Sequence, residues 1–135
     1  MPSLQDARTI ALALPGASER AGRSGCQWRV GERLFVWERS LRPSELRSFP
    51  GPPPAGPILA ARVEHLGAKE ALLAQDGDVY FTTSHFDGHP SVLVRLDAVP
   101  IEELRELIVE AWLCRAPARV AREYLETVRP GRESS

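Results

Sequence analysis

Two runs rich in β-branched and aromatic residues, Val79 to Phe86 and His89 to Leu96, meet at Asp87-Gly88, and this junction restricts the fold more than any other feature. Asp-Gly accepts positive φ at both central positions of a two-residue turn, so the segment predicts a hairpin. Pairing Phe86 with His89 places Val79 opposite Leu96, Phe81 opposite Val94 and Thr83 opposite Val92, which gathers the aliphatic residues on one face. The other face is mixed: Tyr80 lies across from Arg95, Thr82 from Leu93, Ser84 from Ser91 and Phe86 from His89. A slip of one residue would spread the apolar set over both faces, so this register is expected. His85, Asp87, Gly88 and Pro90 are then the structural residues of the hairpin tip.

The flanking segments supply the rest of an α+β domain. Leu4, Ala7, Ala11 and Leu14 recur at helical spacing, Ser3 can cap the start, and Pro15-Gly16 ends the helix. Cys26 to Val30 and Leu34 to Glu38 read as strands around Gly31-Glu32, with Val30 opposite Arg33, Trp28 opposite Phe35 and Cys26 opposite Trp37. Residues 39–57 lack periodicity, and 50–57 hold five of the twelve prolines, which predicts a loop within one domain. Ile58 to Val63 is a further strand. Ala68 to Gln75 is a short helix with Ala71 and Leu72 inward. Ile101, Leu104, Ile108, Ala111 and Trp112 form one helical stripe, and a last helix from Pro117 stops before Pro130-Gly131. The expected architecture is a mostly antiparallel sheet of about five strands with helices on one face, in a single domain over 1–129 followed by a polar tail, 130–135.

Charge restricts the function classes. Seventeen basic against eighteen acidic residues leave a net charge of -1, so any attraction to nucleic acid must be local. Residues 19–62 carry eight Arg and four Glu, whereas 64–110 carry three basic and ten acidic groups. No apolar run approaches membrane-spanning length, and no charged-then-apolar leader precedes the first periodic segment. Cys26 and Cys114 match no paired metal spacing, and a reducing cytoplasm is expected.

Chemistry-bearing motifs are few. His85, Asp87 and His89 resemble a metal-ligand run, but a two-residue turn sends the imidazoles to opposite faces, so no metal site is expected. There is no nucleophile elbow, phosphate-binding glycine loop, dinucleotide fingerprint or zinc-protease helix, and neither a catalytic residue nor a cofactor is implied. The two cysteines sit in apolar patterns and read as inert thiols. Trp28, Phe35 and Trp37 lie among arginines, a pattern that suits either core packing or base stacking with phosphate contact.

The segments ALALPGASE (11–19), WRVGERLFVWE (28–38), TSHFDGHPSVLVRLDAV (83–99) and LRELIVEAWLCRAPARVAREYL (104–125) together resemble the MmcQ/YjbR family of small bacterial proteins. The resemblance implies a CyaY-like, frataxin-like fold, also described as a double wing, and a DNA-binding role by fold analogy. The family residues carried over by position are His85, Asp87, Gly88, Pro90, Arg95, Trp112 and Pro117. Ser84, Phe86 and His89 depart from the family's usual Pro, Tyr and Tyr, so no role for those tyrosine hydroxyls is carried over. The expectation is a non-enzymatic protein that contacts DNA weakly and salt-sensitively through Arg39, Arg42, Arg47 and Arg95. The alternative is a small-ligand or protein-partner module using an open face of Tyr80, Thr82, Phe86, His89 and Arg95.

Overall fold

A computed structural model describes residues 2–22, 25–39, 43–47, 56–83, 86 and 88–133. The order is α1 (Leu4–Leu12), β1 (Ala17–Gly22), β2 (Gly25–Val30), β3 (Arg33–Glu38), α2 (Pro43–Arg47), β4 (Ile58–Arg62), α3 (Leu66–Gln75), β5 (Tyr80–Phe81), β6 (Ser91–Arg95), α4 (Ile101–Arg115) and α5 (Ala118–Glu133). Six antiparallel strands form one open sheet in the order β1-β2-β3-β4-β6-β5. The α+β reading holds, with one strand more than expected.

The additional strand is β1. Ser18, Glu19 and Arg20 are exposed, so the segment has no apolar alternation to announce it. It is held from outside: its backbone pairs along β2, and the Glu19 carboxylate accepts from Trp28 Nε1 at 3.1 Å and Arg8 Nε at 2.7 Å. The α1 start is as expected, with Ser3 and Asp6 in a reciprocal capping box.

The β2–β3 turn matches the expected register at Val30↔Arg33 and Arg29↔Leu34, and then departs from it. A bulge at Trp28/Arg29 pairs Trp28 with Val36 and Gln27 with Trp37, not Trp28 with Phe35 and Cys26 with Trp37. The extra residue allows Phe35 and Val36, adjacent in sequence, both to be fully buried in the main core. Trp37 is turned to the opposite face.

The hairpin around Asp87-Gly88 is the larger correction. β5 is only two residues long, and it pairs Tyr80 with Val94 and Phe81 with Leu93, one residue out from the expected register. β5 ends at Phe81 and β6 begins at Ser91, and between them Phe86 N–H donates to the Thr83 carbonyl and His89 N–H to the Phe86 carbonyl, each at 2.9 Å. Gly88 has the expected positive φ, +74°. A one-residue slip is costly only in a strand with one wet face, and β6 is flanked by β4 and β5 and buried on both faces. A strand apolar on both sides does not penalise the slip. Tyr80 consequently points to the helix side, under α4, and Phe81 to the other.

The main core lies between the sheet and helices α1 and α4. Trp28, Phe35, Val36, Leu59, Ala61, Val92, Val94, Leu104, Ile108 and Trp112 are among its buried members. A smaller cluster of Ile58, Ala60, Phe81, Phe86 and Leu93, with Trp37 against it, covers part of the second face. That face is therefore less open than expected. Three smaller expectations change as well. In α3, Leu72 packs half-buried against the main core as expected, whereas Ala71 is exposed and Lys69 is the buried residue. In α4, Leu107 is buried and Ile101 exposed. α5 continues past Pro130-Gly131, since one proline removes a single N–H donor and can bend a helix without ending it. Among the described residues no helix is long and apolar enough to cross a membrane.

Candidate functional site

Strand alternation builds a recess on the second face. Trp28, Val36 and Ala61 point into the main core, so their neighbours Gln27, Trp37 and Arg62 point the other way. Arg39 N–H donates to the Ile58 carbonyl at 2.9 Å, one step beyond β3, which keeps Arg39 on the same face as Trp37. The loop after β5 contributes Phe86 and His89, and Arg115 enters from the last turn of α4. Together with Leu34 and Glu38 these residues line a cavity of about 460 Å³.

One wall is aromatic and is braced by buried polar contacts. The Phe86 ring lies 6.4 Å from Trp37 and 5.8 Å, edge-on, from His89. Arg39 sits over Phe86, 5.4 Å from the ring centre, and donates to both oxygens of Glu45 at 3.0 and 3.1 Å. Thr83 Oγ1 donates to Glu45 Oε2 at 2.8 Å, so α2, β3 and the loop are joined at one carboxylate. Lys69, only 5% exposed, donates from Nζ to the Phe86 and His89 carbonyls at 2.6 and 3.0 Å. Lys69→Met is expected to lower stability by about 1–3 kcal/mol, because both carbonyls lose a charged donor. Urea unfolding and faster amide exchange at His89 and Ser91 would register it, and unaltered exchange would mean that the loop does not depend on Lys69.

Several expected site residues occupy other places. Arg39 is 6% exposed and ion-paired with Glu45, not displayed on an open loop. The cause is its position at a strand end, facing a ring and a carboxylate. Arg47 is exposed on α2, and Arg42 lies outside the described residues. Arg95 is half-buried, 5.5 Å from the centre of the Phe81 ring. Tyr80 leaves the expected outer platform: it is 2% exposed, and its hydroxyl donates to Glu103 of α4 at 2.5 Å. Burial, then that hydrogen bond and the Glu103 charge, push the Tyr80 pKa far up. Thr82 is half-buried, so of the expected platform only Phe86 and His89 meet in the cavity. His85 and Asp87 lie outside the described residues, and Pro90 has its carbonyl bonded to Val63 N–H at 2.9 Å.

Arg62 and Arg115 were not indicated by any motif. A detectable signal existed for Arg62, a charged residue closing the otherwise apolar run ILAARV. Arg115 follows Trp112 in an ordinary basic helix end, which carries no such signal. Cys114, half-buried beside them, has its thiol pushed up by burial and by Glu110 and Glu64, so it stays protonated near neutrality.

Residues 12–114 match the YjbR family profile. The chain belongs to the YjbR family. Uncharacterized proteins of Mycobacterium bovis and Mycobacterium tuberculosis are 43% identical over 128 residues, covering 93% of this chain and 97% of each relative. The crystal structure of a Deinococcus radiodurans protein with a DUF419 domain superposes with a TM-score of 0.63 at 21% identity, over 84% of this chain and 78% of that one. That likeness concerns the fold alone. In this YjbR member the cavity draws on β2, β3, β4, the 86–89 loop and α4, so residues distant in sequence form its wall.

Proposed function

We propose that this YjbR protein is a non-enzymatic binding module that takes a small organic ligand into the second-face cavity. The observation that carries this reading is the cavity itself: about 460 Å³, with Trp37 and Phe86 as apolar wall and Arg62, Arg115 and His89 as polar groups. Small-ligand sites commonly occupy about 300–1,000 Å³ and combine apolar lining with a few convergent polar groups. The polar groups suit recognition more than turnover. Among the described residues the serine beside an imidazole, Ser91, has Oγ 3.0 Å from His89 Nδ1 but is fully buried, out of reach of a substrate.

A thermal-shift screen with a metabolite set tests the reading. A ligand that binds the folded state raises the midpoint as its concentration rises, and Trp37→Ala is expected to abolish the shift. No midpoint shift with any metabolite would overturn it. DNA is the competing outcome. Anisotropy of a labelled duplex that falls steeply between about 50 and 200 mM salt, and that weakens with Arg47→Ala, would favour DNA contact. Arg39 is a weak candidate for that contact, because the carboxylate of Glu45 already engages its guanidinium.

A further inference from the structure

The positive groups of the cavity constrain what can occupy it. Arg62 closes β4 beside Ser91 of β6, and Arg115 closes α4; both residues line the same recess, and Arg62 also borders a second one that holds Glu64, Glu110 and Cys114. The Nε atom of each is shielded from solvent and makes no hydrogen bond, and among the described residues neither group lies within 4.0 Å of a carboxylate. Burial, and then the nearby charge of Arg115, lower the Arg62 pKa. Two like charges held near one another repel, and an anion between them relieves the repulsion.

Glu64 and Glu110 lie near enough to act on Cys114 beside the two arginines, but neither comes within 4.0 Å of either guanidinium group. Glu45 answers the charge of Arg39, and Glu38, the carboxylate lining the cavity, accepts the Cys26 N–H at 3.3 Å. Guanidinium forks match the geometry of carboxylate and phosphate oxygens, and Trp37 and Phe86 supply an apolar surface alongside. We infer that the cavity binds an aromatic oxyanion, its carboxylate or phosphate held by Arg62 and Arg115 and its ring against Trp37, a statement that rests on the cavity being the ligand site.

Calorimetric titration of the full chain with phenyl phosphate, benzoate and uncharged benzyl alcohol tests this, with Arg Nε–Hε signals followed by NMR. Binding of an oxyanion probe is expected to shift two Nε–Hε signals and to weaken by about tenfold or more in Arg62→Met and in Arg115→Met. The tighter of phenyl phosphate and benzoate distinguishes phosphate from carboxylate. Arg62→Lys and Arg115→Lys, which keep the charge but lose the fork, serve if a methionine variant fails to fold, and are expected to bind more weakly than wild type. If benzyl alcohol binds as tightly as the anions, or all the arginine variants keep wild-type affinity, the oxyanion inference is overturned while the cavity reading stands. Absence of binding by all three probes overturns the inference as well. A metabolite thermal shift that disappears in Trp37→Ala would then still support the cavity as a site for a different class of ligand.

Discussion

Glu45→Ala is expected to lower the unfolding free energy by about 3–5 kcal/mol, the range for removing one partner of a buried ion pair. Arg39 and Glu45 are each 6% exposed, so the substitution takes from a buried guanidinium the carboxylate that accepts two of its hydrogen bonds. Thr83 loses its acceptor in the same step. Urea denaturation of the variant measures the loss directly. The double variant Arg39→Met with Glu45→Leu is expected to recover much of it, because an apolar pair of similar volume avoids the desolvation of two charges. A Glu45→Ala change below about 1 kcal/mol would instead place the pair among surface-like contacts of little energetic weight. The functional consequence follows from Arg39 lying over Phe86: loosening the pair frees one wall of the cavity, so ligand affinity should fall together with stability.

Trp112→Ala carries an expected loss of about 3–5 kcal/mol, typical of deleting a fully buried large aromatic side chain. Trp112 is completely buried, its Nε1 donates to the Pro15 carbonyl at 3.0 Å, and its ring meets Tyr124 edge-on at 5.1 Å. One side chain thus joins α4 to the turn after α1 and to α5. Trp112→Phe retains most of the packing but orphans the Pro15 carbonyl, and about 1–3 kcal/mol is expected. Thermal and urea unfolding separate the two variants, and amide exchange near Tyr124 should accelerate in Trp112→Ala. Equal losses in both would assign the residue's weight to the hydrogen bond and not to packing.

The readings that held were those carried by local chemistry. Ser3, Asp6 and the Pro15-Gly16 break bounded α1 because caps and breakers act within a few residues. The Gly31-Glu32 turn set Val30 opposite Arg33 because a tight turn dictates the first pair of its strands. The apolar stripe of α4 identified Leu104, Ile108, Ala111 and Trp112 as core. Segments ALALPGASE to LRELIVEAWLCRAPARVAREYL also carried the family resemblance that the match over residues 12–114 bears out.

The readings that changed depended on what packs against each strand. β1 has no hydrophobic pattern and exists because β2 offers it an edge and Trp28 offers Glu19 a donor. The β5 register and the direction of Tyr80 depended on β6 being covered on both faces, which removes the penalty that alternation would otherwise impose. The cavity belongs to the same class. Trp37 reached it through a bulge, Phe86 and His89 through a loop held by Lys69, and Arg115 through the end of a helix more than fifty positions beyond Arg62. From its amino-acid order alone this protein determined the capped start of α1, the core stripe of α4, the segments of β2, β3, β4 and β6, and its family, since those follow from neighbouring residues. Only the tertiary structure decided which side chains face the cavity, because a side chain's face is chosen by the partners on either side of its strand, and those come from elsewhere in the chain.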